Sequence, residues 1–259
     1  MPARGLSAAC RPDFRGPTLS SPSTLTSTNA ASRTRGVATD APLYDSDRNL
    51  HYTAPALRGW AHLLFFEVSL VVGTVVIAAA HGATETFAAA IYAATVSGLF
   101  GVSALYHRGR WRPAARRVLQ RADHVMILLL IAGSATPAFL LAVGGRAGVT
   151  GLCVLWALAL TAAACRILWW TAPPRLVGTA YLGLGWIAGL ALPAVWIRFG
   201  VMPVVLLTTG GVLYTVGALV YYRRRPDPSP AVFGYHEVFH AFVCTAATCQ
   251  FLATALFIL

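Results

Sequence analysis

The sequence contains no lysine, and Asp and Glu together number only nine. Charged residues occupy 11% of 259 positions against 57% hydrophobic ones, too few to cover the surface of a water-soluble domain of this length. The net charge of +11 is therefore carried by arginine alone, which points to a GC-rich genome more than to a selected chemistry. The arginines form no basic stripe with interleaved aromatics, so no nucleic-acid partner is expected. Cysteine is sparse as well: Cys10, Cys153, Cys165, Cys244 and Cys249 contain no C-x-x-C and no paired framework. Four of the five lie in apolar runs and read as small core-filling residues, with nothing to imply an oxidising compartment.

Residues 1–57 lack any apolar run that could serve as a secretory signal and are rich in Ser, Thr, Ala, Pro and Arg. A disordered tail is expected there; an organellar transit peptide or an over-extended start would have the same composition. Residues 58–259 form the second region. Seven apolar segments, Trp60–Ala80, Thr86–Tyr106, Ala122–Val143, Val149–Leu168, Leu176–Ile197, Val201–Tyr222 and Tyr235–Leu259, each approach the ~20 residues that a helix needs to cross a bilayer. The expected fold is all-α: a polytopic membrane protein built as a seven-transmembrane-helix bundle.

Charge placement orients it. The tail end and the second, fourth and sixth connections hold thirteen arginines, whereas the remaining connections hold Arg146 and Arg198. By the positive-inside rule the N-terminus is expected in the cytoplasm and the C-terminus outside, opposite to the G-protein-coupled receptors. Pro137, Pro193 and Pro203 fall in or at the ends of segments, where kinks beside a cavity are tolerated.

Only Glu67, Asp123 and Glu237 are acids within the segments, and a charge at membrane depth is a functional hypothesis because leaving it unpaired there is costly. Two of them stand beside histidines. Segment two ends Ser103-Ala-Leu-Tyr-His107, segment three begins Ala122-Asp123-His124, and segment seven begins Tyr235-His236-Glu237-Val-Phe-His240. All three helix ends lie on the arginine-rich side. Residues four apart on a helix are rotated by ~40° and separated by ~6 Å, so His236 and His240 present imidazoles from one face. His107 would supply a third nitrogen, giving the three-ligand pattern of a catalytic zinc site with one open position. Ser103 sits one turn from His107.

Simpler readings stand beside these. His107 could be an interfacial residue next to Arg108, Asp123 a first-turn anion complementing a helix dipole, and Ser103 a packing residue with Ser97, Gly98 and Gly101. His51, His62, His81 and His124 look less useful; His124 is rotated by ~100° from Asp123. Cys244 shares the face of His236 but lies ~12 Å along the helix from it, which excludes it from a site holding both histidines. Glu67 has either a bundle partner or a supporting place behind the site.

From about Arg58 to Leu259 the chain resembles the hemolysin III family, within the progestin and adipoQ receptor superfamily that includes the adiponectin receptors. The carriers are Ser103-Ala-Leu-Tyr-His107, Ala122-Asp123-His124 with Gly133-Ser134-Ala135-Thr136-Pro137, and Gly234-Tyr235-His236-Glu237-Val238-Phe239-His240. The resemblance implies a seven-helix bundle with a cytoplasmic N-terminus and a zinc ion on His107, His236 and His240, with Asp123 approaching through a water and Ser103 close by. Eukaryotic relatives look like lipid amidases acting on ceramide. Where family members often carry an acid and an asparagine before a His-Gly, this chain reads Arg58-Gly59-Trp60-Ala61-His62, followed by Glu67.

The expected function is zinc-dependent hydrolysis of an amide or ester in a membrane lipid, the lipid being the partner. Asp123 would accept a proton and Ser103 would hydrogen-bond the water or the substrate carbonyl, these two being the catalytic residues. A receptor, sensor or pore-forming protein with structural zinc is the alternative, in which the metal merely pins segments two, three and seven. A third reading takes His236-Glu237-Val-Phe-His240 as the HExxH signature of an intramembrane metalloprotease, with Glu237 as its base.

Overall fold

The computed structural model describes residues 43–45, 50–52 and 55–259, so most of the tail expected over residues 1–57 lies outside the described residues. Leu43–Asp45 and Leu50–Tyr52 pair as two antiparallel strands, with Leu43 opposite Tyr52. Among the described residues seven helices are long and apolar enough to cross a membrane: Trp60–Ala79, Ala83–Arg108, Pro113–Val143, Gly145–Leu168, Pro174–Phe199, Val201–Arg223 and Tyr235–Ile258. The seven-helix bundle expected from the apolar segments is therefore present.

The third span departs most from its apolar segment, starting at Pro113 instead of near Ala122. Pro113 stands in the first turn, where its missing N–H has no intrahelical partner to lose and its fixed φ already suits a helix. The turns that follow carry Arg116, Arg117 and Arg121, whose good helix propensity extends the helix past the point where hydropathy falls. Farther along, Pro137 can donate no backbone hydrogen bond to Gly133, and the helix widens into a π-helical stretch over Ala138–Val143. In the fifth span a 3₁₀ turn at Gly189–Ala191 precedes Pro193 in Leu192–Phe199. Pro203 falls in the first turn of the sixth span and is tolerated there.

Large apolar side chains point outward: Leu64, Val71, Leu168 and Ile197 are all exposed, as the hydrocarbon of a bilayer requires. The interior is instead rich in small residues, among them Ala88, Ala89, Ala132, Ala159 and Ala246, which let helix backbones approach closely. This outward arrangement corrects the reading of the cysteines. Cys244 is buried, but Cys153 and Cys165 are exposed, because an apolar residue in a membrane span can face lipid as readily as core.

The tightest approach is at Gly133, where a Cβ would lie 2.1 Å from Oγ1 and 2.5 Å from Cγ2 of Thr95 on the second span. Thr95 cannot swing away freely, since its hydroxyl donates to the carbonyls of Ile91 and Tyr92. Gly133→Val should therefore destabilise the bundle by about 1–3 kcal/mol or more, read as a lower thermal midpoint in detergent. Ser134→Ala, which removes only a hydroxyl bonded within its own helix, should leave that midpoint nearly unchanged.

Candidate metal centre

Three helix ends are fastened together at the arginine-rich end of the bundle. The seventh span starts after Gly234, whose N–H donates to Glu237 Oε2 at 2.9 Å, and Tyr235 N–H donates to Asp227 Oδ1 at 2.9 Å. Glu237 Oε1 accepts from Arg58 Nε, an ion pair that joins the approach to the first span to the first turn of the seventh. Two backbone bonds run in parallel, Ala56 N–H to Ala231 O at 3.0 Å and Leu57 N–H to Val232 O at 3.2 Å. Gly59 then turns the chain into the first span with φ +77°, in the left-handed region that glycine enters at least cost. A Cβ on Gly59 would stand 2.8 Å from the Cβ of His107, so the first span starts directly against the last turn of the second.

That packing gathers the histidines. His107, His236 and His240 each offer a ligand nitrogen, and these atoms lie within 4.8 Å of one another. Their ring centroids are 4.8 Å apart for His107 and His236, 5.1 Å for His107 and His240, and 4.5 Å for His236 and His240. Tyr221 and Phe239 pack edge-on against His236. Nε2 of His107 and Nε2 of His236 are buried without a hydrogen-bond partner. An unmet buried polar atom costs about 1–3 kcal/mol, so two in one cluster call for a ligand that the polypeptide does not provide. A divalent metal fits. Imidazole is a zinc ligand at ~2.0–2.1 Å, and three nitrogens around one tetrahedral ion stand ~3.3 Å apart, a contraction within reach of side-chain rotation. The buried, unpartnered Nε2 of His107 argues against a merely interfacial residue, since an imidazole anchored at a headgroup would keep that atom bonded.

Asp123 and Ser103 form a second pair. Ser103 is 2% exposed and stands beside the Asp123 carboxylate, within reach of a hydrogen bond to it. With the third helix starting at Pro113, Asp123 lies about ten residues inside it, beyond the first turn where a helix dipole would favour an anion. Asp123 is not in the close group of three, in keeping with a carboxylate that approaches the site without being a direct ligand. Small-residue packing also occurs on the second span, but at Gly98 against Met126 and Gly101 against Phe66.

The histidine set aside in the sequence that the structure brings to the group is His62. It is 3% exposed, its ring stacks on His240 at 3.8 Å with planes 13° apart, and neither ring nitrogen has a hydrogen-bond partner. The sequence carried only part of the signal: His62 lies two residues into the first segment at its arginine-rich end, the level of the other three. His124 is separate, its Nδ1 2.8 Å from the Gln120 carbonyl and its ring against Trp170. His81 lies between the first and second spans, and Cys244 is buried among Leu99, Phe100 and Val243. Glu67 is exposed on the outer face of the first span, in a groove with Trp60, Ala61, Leu63 and Leu64.

Comparison with known proteins shows the family of the chain. A family model described as "Haemolysin-III related" matches residues 50–251. The chain is 28% identical over 184 residues to Hemolysin-3 of Bacillus cereus, covering 69% of this chain and 81% of that protein. It is 30% identical over 134 residues to the Hemolysin-3 homolog of Bacillus subtilis (strain 168), covering 52% of this chain and 60% of that protein.

Proposed function

The chain belongs to the haemolysin-III-related family and is a multi-pass integral protein of the bacterial cell membrane, and from that premise we propose that it is a zinc-dependent hydrolase of a lipid amide or ester, working at the cytoplasmic interface. The observation that carries this reading is the close group of His107, His236 and His240, with two buried ring nitrogens that lack any protein partner. Three neutral imidazoles are the donor set of a catalytic site that keeps one position open, whereas a structural site is normally closed by four protein ligands. Zinc held there would supply a Lewis acid and, at neutral pH, a hydroxide nucleophile.

The chain's own residues supply the rest. His236 and His240 come from one face of one helix and His107 from another, so the site exists only while the second and seventh spans are in register. Asp123 takes up and returns the proton, and Ser103, beside it, orients that carboxylate or turns its hydroxyl to the substrate carbonyl. Phe100, Tyr221 and Phe239 limit water around the imidazoles. The three histidines stand near helix ends on the arginine-rich side, the level of the headgroups, where the amide and ester bonds of lipids reside.

Glu237 has different work. One carboxylate oxygen accepts from Gly234 N–H and the other from Arg58, so both serve helix capping and the ion pair. Both oxygens are thereby held toward the helix start and Arg58, which argues against the HExxH mechanism. Glu237→Gln should retain hydrolysis per metal-loaded molecule while lowering stability by about 3 kcal/mol or more, because Arg58 loses its counter-charge in a poorly solvated position. Loss of turnover with stability unchanged would restore the protease reading.

The direct test is to incubate purified protein in detergent with fluorogenic N-acyl-sphingoid and lipid-ester substrates, with and without a zinc chelator. Chelator-sensitive release of fatty acid supports the proposal; its absence with a fully metal-loaded protein refutes it. The names of the relatives favour a second reading, membrane lysis. Leakage of dye from liposomes that persists after His107→Ala would support a pore in place of the enzyme.

A further inference from the structure

Of the histidines gathered at this end of the bundle, His62 has been given no task, and its surroundings do not explain why it is a histidine. Besides His240, its ring neighbour is Phe100, edge-on at 5.1 Å, which belongs to an apolar cluster with Leu99, Leu130 and Val243. That wall would accept phenylalanine. Instead it holds a ring with one N–H donor and one lone-pair acceptor, both buried and both without a protein partner. A fourth metal ligand is not the explanation. The close group of ligand atoms comprises His107, His236 and His240 without His62. Moreover, rings stacked at 3.8 Å with planes 13° apart hold their in-plane lone pairs in two nearly parallel, separated planes, which do not meet at one ion.

We infer that His62 is a ligand-recognition residue of the metal centre, hydrogen-bonding an oxygen-bearing group such as an acyl carbonyl that enters beside His240. This rests on the proposed hydrolase reading and narrows it, because it requires a substrate with a polar acceptor or donor placed next to the metal and not a purely apolar one. The stack serves the same end. Imidazole bound to a divalent cation is electron-poor, so the face of His62 holds the His240 ring while its edge remains available to the incoming ligand. Gly59, one turn earlier and in contact with His107, fixes where the first span stands and hence where that edge lies.

Acetohydroxamic acid is a suitable probe: it presents an acyl carbonyl and binds divalent metals. Full-length protein loaded with cobalt in detergent would be titrated with the probe and followed by the cobalt visible spectrum. His62→Phe keeps an aromatic face on His240 and removes both nitrogens, whereas His62→Gln keeps a donor and an acceptor. The expected result is about one metal ion per chain in all three proteins, with probe affinity about tenfold weaker in His62→Phe and largely restored in His62→Gln. Unchanged affinity in His62→Phe would overturn the inference, and so would loss of the metal from metal-reconstituted His62→Phe and His62→Gln alike, since His62 would then be holding the ion. A wild-type protein that takes up no cobalt would instead sink the metal reading itself, so the two failures are distinguishable.

Discussion

Metal analysis of the purified wild-type protein should give about one zinc ion per chain, and His107→Ala or His236→Ala should each bring that close to zero. The expected loss is large because three imidazoles are all the close ligand set contains. A structural zinc site with four ligands contributes roughly 10–16 kcal/mol, so each ligand carries roughly 3 kcal/mol or more, a hundredfold or greater loss in affinity. Substituting His107 also removes the only one of the three that comes from the second span, which leaves a two-nitrogen clip on the seventh. Thermal stability gives an independent readout. Metal that binds only the folded bundle raises its stability, so a chelator should lower the wild-type midpoint and have little effect on either variant. An unchanged metal content in both variants would end the site hypothesis whatever the activity.

Why the histidine site could be read before the structure, and why His62 could not, follows from how each is specified. His236 and His240 are linked by helix periodicity alone, which the sequence carries without any tertiary information. His107 joins them through membrane level: arginine counts placed the ends of segments two and seven on one side, and an ordered bilayer reduces a three-dimensional problem nearly to one of depth. The seven spans were legible for the same reason, since each must satisfy its backbone internally and present an apolar exterior. Depth, however, says nothing about which helix neighbours which. His62 was at the right level, but its stacking on His240 depends on Gly59 seating the first span against the second and on the Arg58–Glu237 pair joining the first span to the seventh. Those are contacts between residues as far as 179 positions apart, with no local signature. The start of the third helix was hidden differently. Hydropathy marks where lipid begins, while Pro113 and the arginines after it mark where the helix begins, and only the second of these decides whether Asp123 can be a first-turn anion.

Asp123→Asn should abolish most of the hydrolysis, a fall of ~10²–10⁴ in turnover, while leaving metal content at the wild-type level. The substitution is isosteric and leaves a polar amide beside Ser103, so local packing is preserved. What disappears is the ability to take up a proton. Ser103→Ala should be milder, about tenfold, because it removes a single hydroxyl beside that carboxylate and leaves the proton acceptor in place. The pattern separates a catalytic centre from a structural one. If the metal only pins spans together, turnover has no meaning for Asp123, and the variant should match the wild type in every readout except a small change in stability. If Asp123 were itself a ligand, metal content would fall with activity, as it does for the histidines. Activity lost with the metal retained is the outcome that only a catalytic carboxylate beside the three-histidine site produces.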